Sequence, residues 1–236
     1  MKVNVAYALI LITLGSFSLF AQDAKKNGRP QVNGPAKVDK PAFVPTFFYE
    51  FSRPGFIYSE VRIKHDEGGR GTIAFKRDAG DEFYEDPIDL SAATMSKIKA
   101  AYTALNFLGS SDEYQTKMDH SNMGNVTLTQ KQGGRERTAK FNWTDNKDAK
   151  MLMDVYRAIS NEYTWRFEVI LARQTQPLMT PSLMDELDEY MRRGELADPA
   201  HLVPFLTELS TDERLPLMAR NHALRLIKQA EKAAPK

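Results

Sequence analysis

The sequence predicts an α+β protein: an antiparallel sheet built from a duplicated strand-hairpin-helix unit, followed by an all-helical C-terminal extension. Three observations carry that expectation. Period-two apolar alternation runs twice into a Gly-Gly-Arg turn and returns as a second strand. Each hairpin is followed by apolar residues at three- and four-residue spacing, the stripe of a helix lying on a sheet. From Trp165 onward only the helical period remains.

The duplication rests on a gap-free match. Val61-Arg62-Ile63-Lys64-His65-Asp66-Glu67-Gly68-Gly69-Arg70 aligns with Val126-Thr127-Leu128-Thr129-Gln130-Lys131-Gln132-Gly133-Gly134-Arg135 at an offset of 65. The helical stripes match at an offset of 54, Ile98, Tyr102 and Leu105 against Leu152, Tyr156 and Ile159. Extra residues between about Ala79 and Leu90 account for the fall. The units are about 56–108 and 123–165. This repeat speaks of fold and carries no chemistry.

Lys2, the apolar run Ala6 to Phe20 and the small Ala21 before Gln22-Asp23 have the order of a secretory signal peptide over residues 1–21, an uncleaved N-terminal anchor being the other reading. The expected location is therefore exported, periplasmic or extracellular, with no later membrane span. The chain has no cysteine, so an exported form has no disulfides and depends on its core alone. Thiol nucleophiles and thiolate metal sites are excluded. Removing residues 1–21 takes one lysine and no acids, leaving 31 basic against 31 acidic residues. A zero balance argues against nucleic acid, whose binding proteins carry a basic surplus. Residues 22–45, with Lys25, Lys26, Arg29, Lys37, Lys40 and four prolines, read as a flexible linker.

An α+β domain is expected over 46–175 and the helical extension over 176–236. Phe47, Phe48, Tyr49 and Phe51 form an aromatic cluster that stops at Arg53-Pro54-Gly55. Phe56 to His65 alternates, Asp66 to Gly71 turns, and Thr72 to Lys76 returns. Glu82 to Tyr84 reads as a short strand before Pro87. Ser91 caps a helix that Gly109 should end, and Asn146 caps the next. In the tail, Pro181 opens a helix that runs to Gly194, and Asp198-Pro199 is a cap followed by a first-turn proline. Pro204 is expected to kink the helix it sits in. The stretch Leu202-Val203-Pro204-Phe205-Leu206, Asp212-Glu213-Arg214 and Ala219 to Leu224, within about 198–232, resembles one unit of a HEAT-type helical repeat. Such repeats need stacked neighbours, and only the preceding helix is available here, so we read the stretch as a helical cap packed on the α+β part and carry over no activity from the resemblance.

Chemistry is sparse. His65-Asp66-Glu67 borders the first hairpin and Asp119-His120-Ser121-Asn122 precedes the second unit. If the repeats brought these segments together, His65 and His120 could hold a divalent metal, or Ser121 could be activated by a histidine beside Asp66 and Asp119. No spacing of an established metal or hydrolase motif is present. Solvated turn residues are the commoner explanation. Gly68-Gly69-Arg70-Gly71 joins two strands instead of opening a helix, so it is no phosphate cradle. His201 and His222 lie on the tail, His222 toward its apolar side. Asn125 and Asn142 fit the glycosylation pattern but fall in expected strands. The aromatics are expected in the core.

A non-catalytic binding module of the envelope or secreted space, with another envelope or secreted protein as partner and no cofactor, is the leading expectation. A hydrolase or metal enzyme at the hairpin turns is the first alternative. A small-ligand carrier with a pocket between sheet and helical extension is the second.

Overall fold

Aromatic and β-branched alternation builds the sheet from its centre. Strand β1 (Phe47–Ser52) turns Phe47 and Tyr49 into the core and Glu50 and Ser52 to solvent. A computed structural model describes residues 43–77 and 80–233. The chain divides into two units, Met1–Pro41 and Ala42–Lys236. The signal segment and most of the linker lie outside the described residues.

The first hairpin is β2 (Glu60–His65) and β3 (Arg70–Lys76), and β4 (Tyr84–Asp89) follows; β5 (Asn125–Gln132) and β6 (Arg135–Phe141) form the second hairpin. All pair antiparallel in the order β4-β3-β2-β1-β5-β6. The offset of 65 is built into this sheet: Phe47 pairs with His65 on one side and Gln130 on the other, and Ser52 with Glu60 and Asn125. The hairpins run outward from β1 in opposite directions. Their turns differ as well. Asp66 N–H bonds to Arg70 C=O across the wider turn, whereas Gly133 and Gly134, at φ +57° and +76°, make a two-residue turn. In consequence Ile73 faces the core on β3, while on β6 it is Ala139, one residue past the gap-free equivalent Thr138.

Several boundaries differ from the sequence reading. Phe56 and Ile57 are exposed turn residues, and β2 begins only at Glu60. β4 runs through Pro87 instead of stopping before it, because an edge strand tolerates a missing outward N–H. Helix α1 (Ala92–Ala104) starts at the expected Ser91 cap, whose hydroxyl accepts the Thr94 N–H at 3.1 Å. It stops short of Gly109, since Asn106 adopts the left-handed conformation at φ +43°.

Helix α2 (Lys147–Thr175) has 29 residues, roughly 44 Å of helix, and serves two cores. Its first half puts Ala149, Leu152, Tyr156 and Ile159 on the sheet beside Ile98 and Tyr102 of α1. Its second half puts Trp165 and Val169 into a separate core with α3 (Thr180–Arg193), α4 (Val203–Thr211) and α5 (Leu217–Ala233). Trp165 also donates its indole N–H to Leu183 C=O at 2.7 Å. Gly194 closes α3 in the left-handed conformation, and Pro204 sits in the first turn of α4, where it opens the helix and does not kink it. Arg173 of α2 bonds Asp212 at 2.7 Å and Glu208 at 2.8 Å, tying the end of α4 to α2.

Asp198 does not cap its own short 3-10 helix (Pro199–Leu202). Its carboxylate turns to α1, taking Ser91 N–H at 3.0 Å and Thr94 O–H at 2.8 Å. The tail therefore caps a helix that lies on the sheet. No helix among the described residues is long and apolar enough to cross a membrane.

Candidate functional site

Hydrogen-bond parity decides which backbone groups a sheet leaves open. Lys131 N–H donates to Thr46 C=O at 2.8 Å, so the odd residues of β5 bond toward β1 and the even ones toward β6. The facing pairs Gln130–Arg137 and Leu128–Ala139 then commit the odd residues of β6 to β5. The N–H and C=O groups of Glu136, Thr138 and Lys140 point away from the sheet, and no hydrogen bond reaches them among the described residues. β6 carries neither a proline nor a bulge.

The opposite edge is closed by its sequence. Leu90 N–H donates to Gly69 C=O at 3.0 Å, which turns Tyr84, Asp86 and Ile88 toward β3 and Glu85, Pro87 and Asp89 outward. Pro87 has no N–H to offer, and the outward positions on either side of it are the acids Glu85 and Asp89. This is how natural sheets blunt an edge. The two edges are thus treated differently by the same chain.

The segment between α1 and β5 runs alongside β6. Arg137 fastens one end of it, donating to Phe107 C=O at 2.7 Å, to the Tyr114 hydroxyl at 3.1 Å and to Asp112 C=O. Thr116 N–H to Trp143 C=O, at 3.1 Å, and the Gln115–Asn142 amide pair fasten the other end. Between these points the segment bows away and leaves a groove of about 600 Å³, lined by residues 111–115 on one wall and 137–140 on the other. An extended segment laid there meets five residues of open edge, Glu136 to Lys140, about 14 Å long.

The residues singled out from the sequence are placed elsewhere. His65 is fully buried at the inner end of β2. Its Nδ1 lies 2.9 Å from Asp66 C=O, an acceptor, so Nδ1 carries the proton and Nε2 accepts the Tyr156 hydroxyl at 2.9 Å. Burial pushes its pKa down to about 4. Asp66 closes its own turn, accepting the Gly68 and Arg70 N–H groups at 2.8 and 3.0 Å. Asp119 takes the Asn142 side-chain amide, His120 lies 5.9 Å from the Trp143 ring, and Ser121 is exposed in a one-turn 3-10 helix.

These two segments do not meet. His65 pairs with Phe47 and Asn125 with Ser52, so they sit at opposite ends of β1, about 17 Å apart along the strand. No group of three His, Asp or Glu side chains able to hold a metal occurs among the described residues. The shared site at His65, Asp66, Asp119, His120 and Ser121 is therefore not assembled, because both hairpins flank β1 in the same direction and leave their turns at one end. The segment before β5 lies at the other. His222 is buried with Nδ1 3.2 Å from Asp185, and His201 is exposed. Asn142 is buried, its amide bonded on both sides.

A second cleft of about 410 Å³ lies between α1, α2 and the turn at 194–197, with Val155, Ala158 and Leu196 on its floor and Lys97, Lys147 and Lys150 around it. It is the nearest counterpart to a pocket between sheet domain and extension, and it is an open surface groove. Most of the aromatics behave as core: Phe47, Tyr49 and Trp165 are buried, and Phe51, Tyr58, Tyr163 and Phe167 pack against the core with part of their surface exposed, whereas Phe56 is exposed and Phe48 lies on the other face of the sheet beside Lys131. Arg137, Tyr114 and Asn142 were not expected. The signal for Tyr114 is the stretch from Asn106 to His120, long and without periodicity, of a length that compact domains keep for function, and nothing local marks Arg137 and Asn142, which fasten it. No protein-family model and no curated protein matches this chain.

Proposed function

We propose that this protein is an exported, non-catalytic binding module that takes an extended segment of a partner protein onto the open edge of β6. The observation that carries this reading is the row of unbonded backbone groups at Glu136, Thr138 and Lys140 facing the groove. Strand addition supplies affinity through main-chain hydrogen bonds and selectivity through the groove walls. The contrast with the blocked β4 edge supports it, since a chain that blunts one edge and leaves the other open has a use for the second. Export is supported by Lys2, the apolar run to Phe20 and Ala21, and the expected partner is another envelope or secreted protein.

Thr138→Pro tests the site. The Thr138 N–H points outward, so proline there removes an edge donor and leaves the β5 ladder intact. Selection of 12-residue random peptides on the unmodified protein is expected to yield binders that lose at least tenfold in affinity for Thr138→Pro. Binders indifferent to Thr138→Pro, or selection that yields none, would overturn the reading.

A further inference from the structure

We infer that a second copy of this chain is itself a strand that fits the β6 edge, pairing antiparallel about a twofold axis at Thr138. This rests on the strand-accepting reading and goes further, because it names an occupant and a register.

The parity of β6 matches backbone to backbone, and the pairing requires residues 111–115, the outer wall of the groove, to swing off the edge in each copy. In antiparallel pairing the residues that exchange both hydrogen bonds are those whose backbones point at each other. On β6 these are Glu136, Thr138 and Lys140. Centring the twofold on Thr138 sets Thr138 against its own copy, Glu136 against Lys140 of the other copy, and Lys140 against Glu136. Each carboxylate then faces an ammonium, twice, by symmetry. Moving the centre to Glu136 or Lys140 sets like charges against each other, which is unfavourable for directly opposed residues. The register at Thr138 is the one in which the edge complements itself.

The solvent face of the sheet supports the same arrangement. The Thr129 and Thr138 hydroxyls are 2.8 Å apart, so the pairing extends a threonine row across two copies. Glu136 already bonds Lys131 at 3.0 Å, with more than half of its side chain exposed, and Lys140 makes no ion pair among the described residues. The carboxylate would then lie between Lys131 of its own chain and Lys140 of the other. The contact is isologous and closed, a twofold dimer in which both edges are satisfied and no third copy can add. It gives one twelve-stranded sheet whose outer edges are the two Pro87 strands. A five-residue edge buries less than the ~1,200 Å² typical of stable complexes, so the dimer forms on concentration and disperses on dilution.

The absence of cysteine makes the test clean. In Thr138→Cys the two new thiols belong to a directly opposed pair with Cα atoms about 5.5 Å apart, within disulfide reach. With oxidised glutathione as oxidant, a disulfide-linked dimer is expected. Adding Glu136→Lys should slow its formation about tenfold, since two attractive pairs become repulsive. Adding Lys140→Glu to that variant should restore the rate. Sedimentation of the unmodified chain, expected to show monomer passing to dimer as concentration rises, is a second measurement that needs no variant. No linked dimer, or a rate that ignores both charge reversals, would overturn the inference. Peptides captured in a Thr138-dependent way by a chain that never pairs with itself would overturn self-pairing and leave the strand-accepting module standing.

Discussion

Glu162→Gln isolates a strongly perturbed carboxyl. Glu162 lies on α2 where the core under the sheet meets the core of the C-terminal helices, 5% exposed, and its Oε2 accepts the Asp198 N–H at 3.2 Å. Burial first, then the Asp198 carboxylate, raise its pKa from 4.5 to about 8, against the Asp198 N–H and the Arg166 charge, which lower it. The folded chain therefore holds a proton that the unfolded chain has released. Its stabilising effect is complete below pH 4.5 and is lost as the pH rises through about 8. At 1.36 kcal/mol per pKa unit the window is worth about 5 kcal/mol, or about 1.4 kcal/mol per pH unit inside it. Gln is close in shape to the neutral acid and does not titrate. Urea unfolding of both proteins at pH 5, 6, 7 and 8 gives a stability difference from which other titrating groups largely cancel. It should rise in favour of Glu162→Gln by about 1 kcal/mol or more per pH unit. A difference that stays flat from pH 5 to 8 would refute the argument, and with it the view that this carboxyl is neutral between the two cores.

His65 has the opposite sign. Its folded pKa of about 4 lies below the unfolded value of 6.5, so its contribution is present above pH 6.5 and is lost as the pH falls through 4. Nitrogen chemical shifts should report a neutral ring with the proton on Nδ1 at pH 5.5, and a charged ring at that pH would contradict the assignment. Gly71→Ala should cost about 3 kcal/mol or more by chemical denaturation, because a Cβ there would lie 2.0 Å from Lys64 C=O in the middle of the sheet. A loss below about 1 kcal/mol would show that β2 and β3 can separate without penalty.

Local signals made much of the fold legible. Val61, Ile63 and His65 show the strand period, and Ser91, Asn146 and Gly194 mark helix ends through backbone groups within a few residues. Long-range partners were not legible. Asp198 beside Pro199 has the pattern of a local cap, yet the fold brings the α1 N-terminus within 3.0 Å of it, and a charged acceptor serves the longer helix. His65 ends the alternating strand and borders the Asp66 to Gly71 turn, so its sequence neighbours suit both a core and a turn residue. Its period-two position with Val61 and Ile63 already placed it inward, and Phe47 and Tyr156 complete its surroundings. The open edge could not be read from β6 at all. Arg135 to Phe141 reads as any half-buried strand, and only the sheet order decides that nothing lies beyond it.

The central place of β1 has a mechanical consequence. The chain enters the sheet at Thr46 and runs at once into the strand that is flanked on both sides. A pull applied through the preceding residues acts along β1, perpendicular to its hydrogen bonds, so these bonds are sheared together instead of being opened one at a time. A partner held on β6 would resist through β5, which is loaded in the same direction and by the same kind of bond. Tension between the residues preceding Thr46 and a strand captured on β6 would therefore pass through three adjacent strands in shear. The helical extension, attached at the far end of α2, would carry none of it.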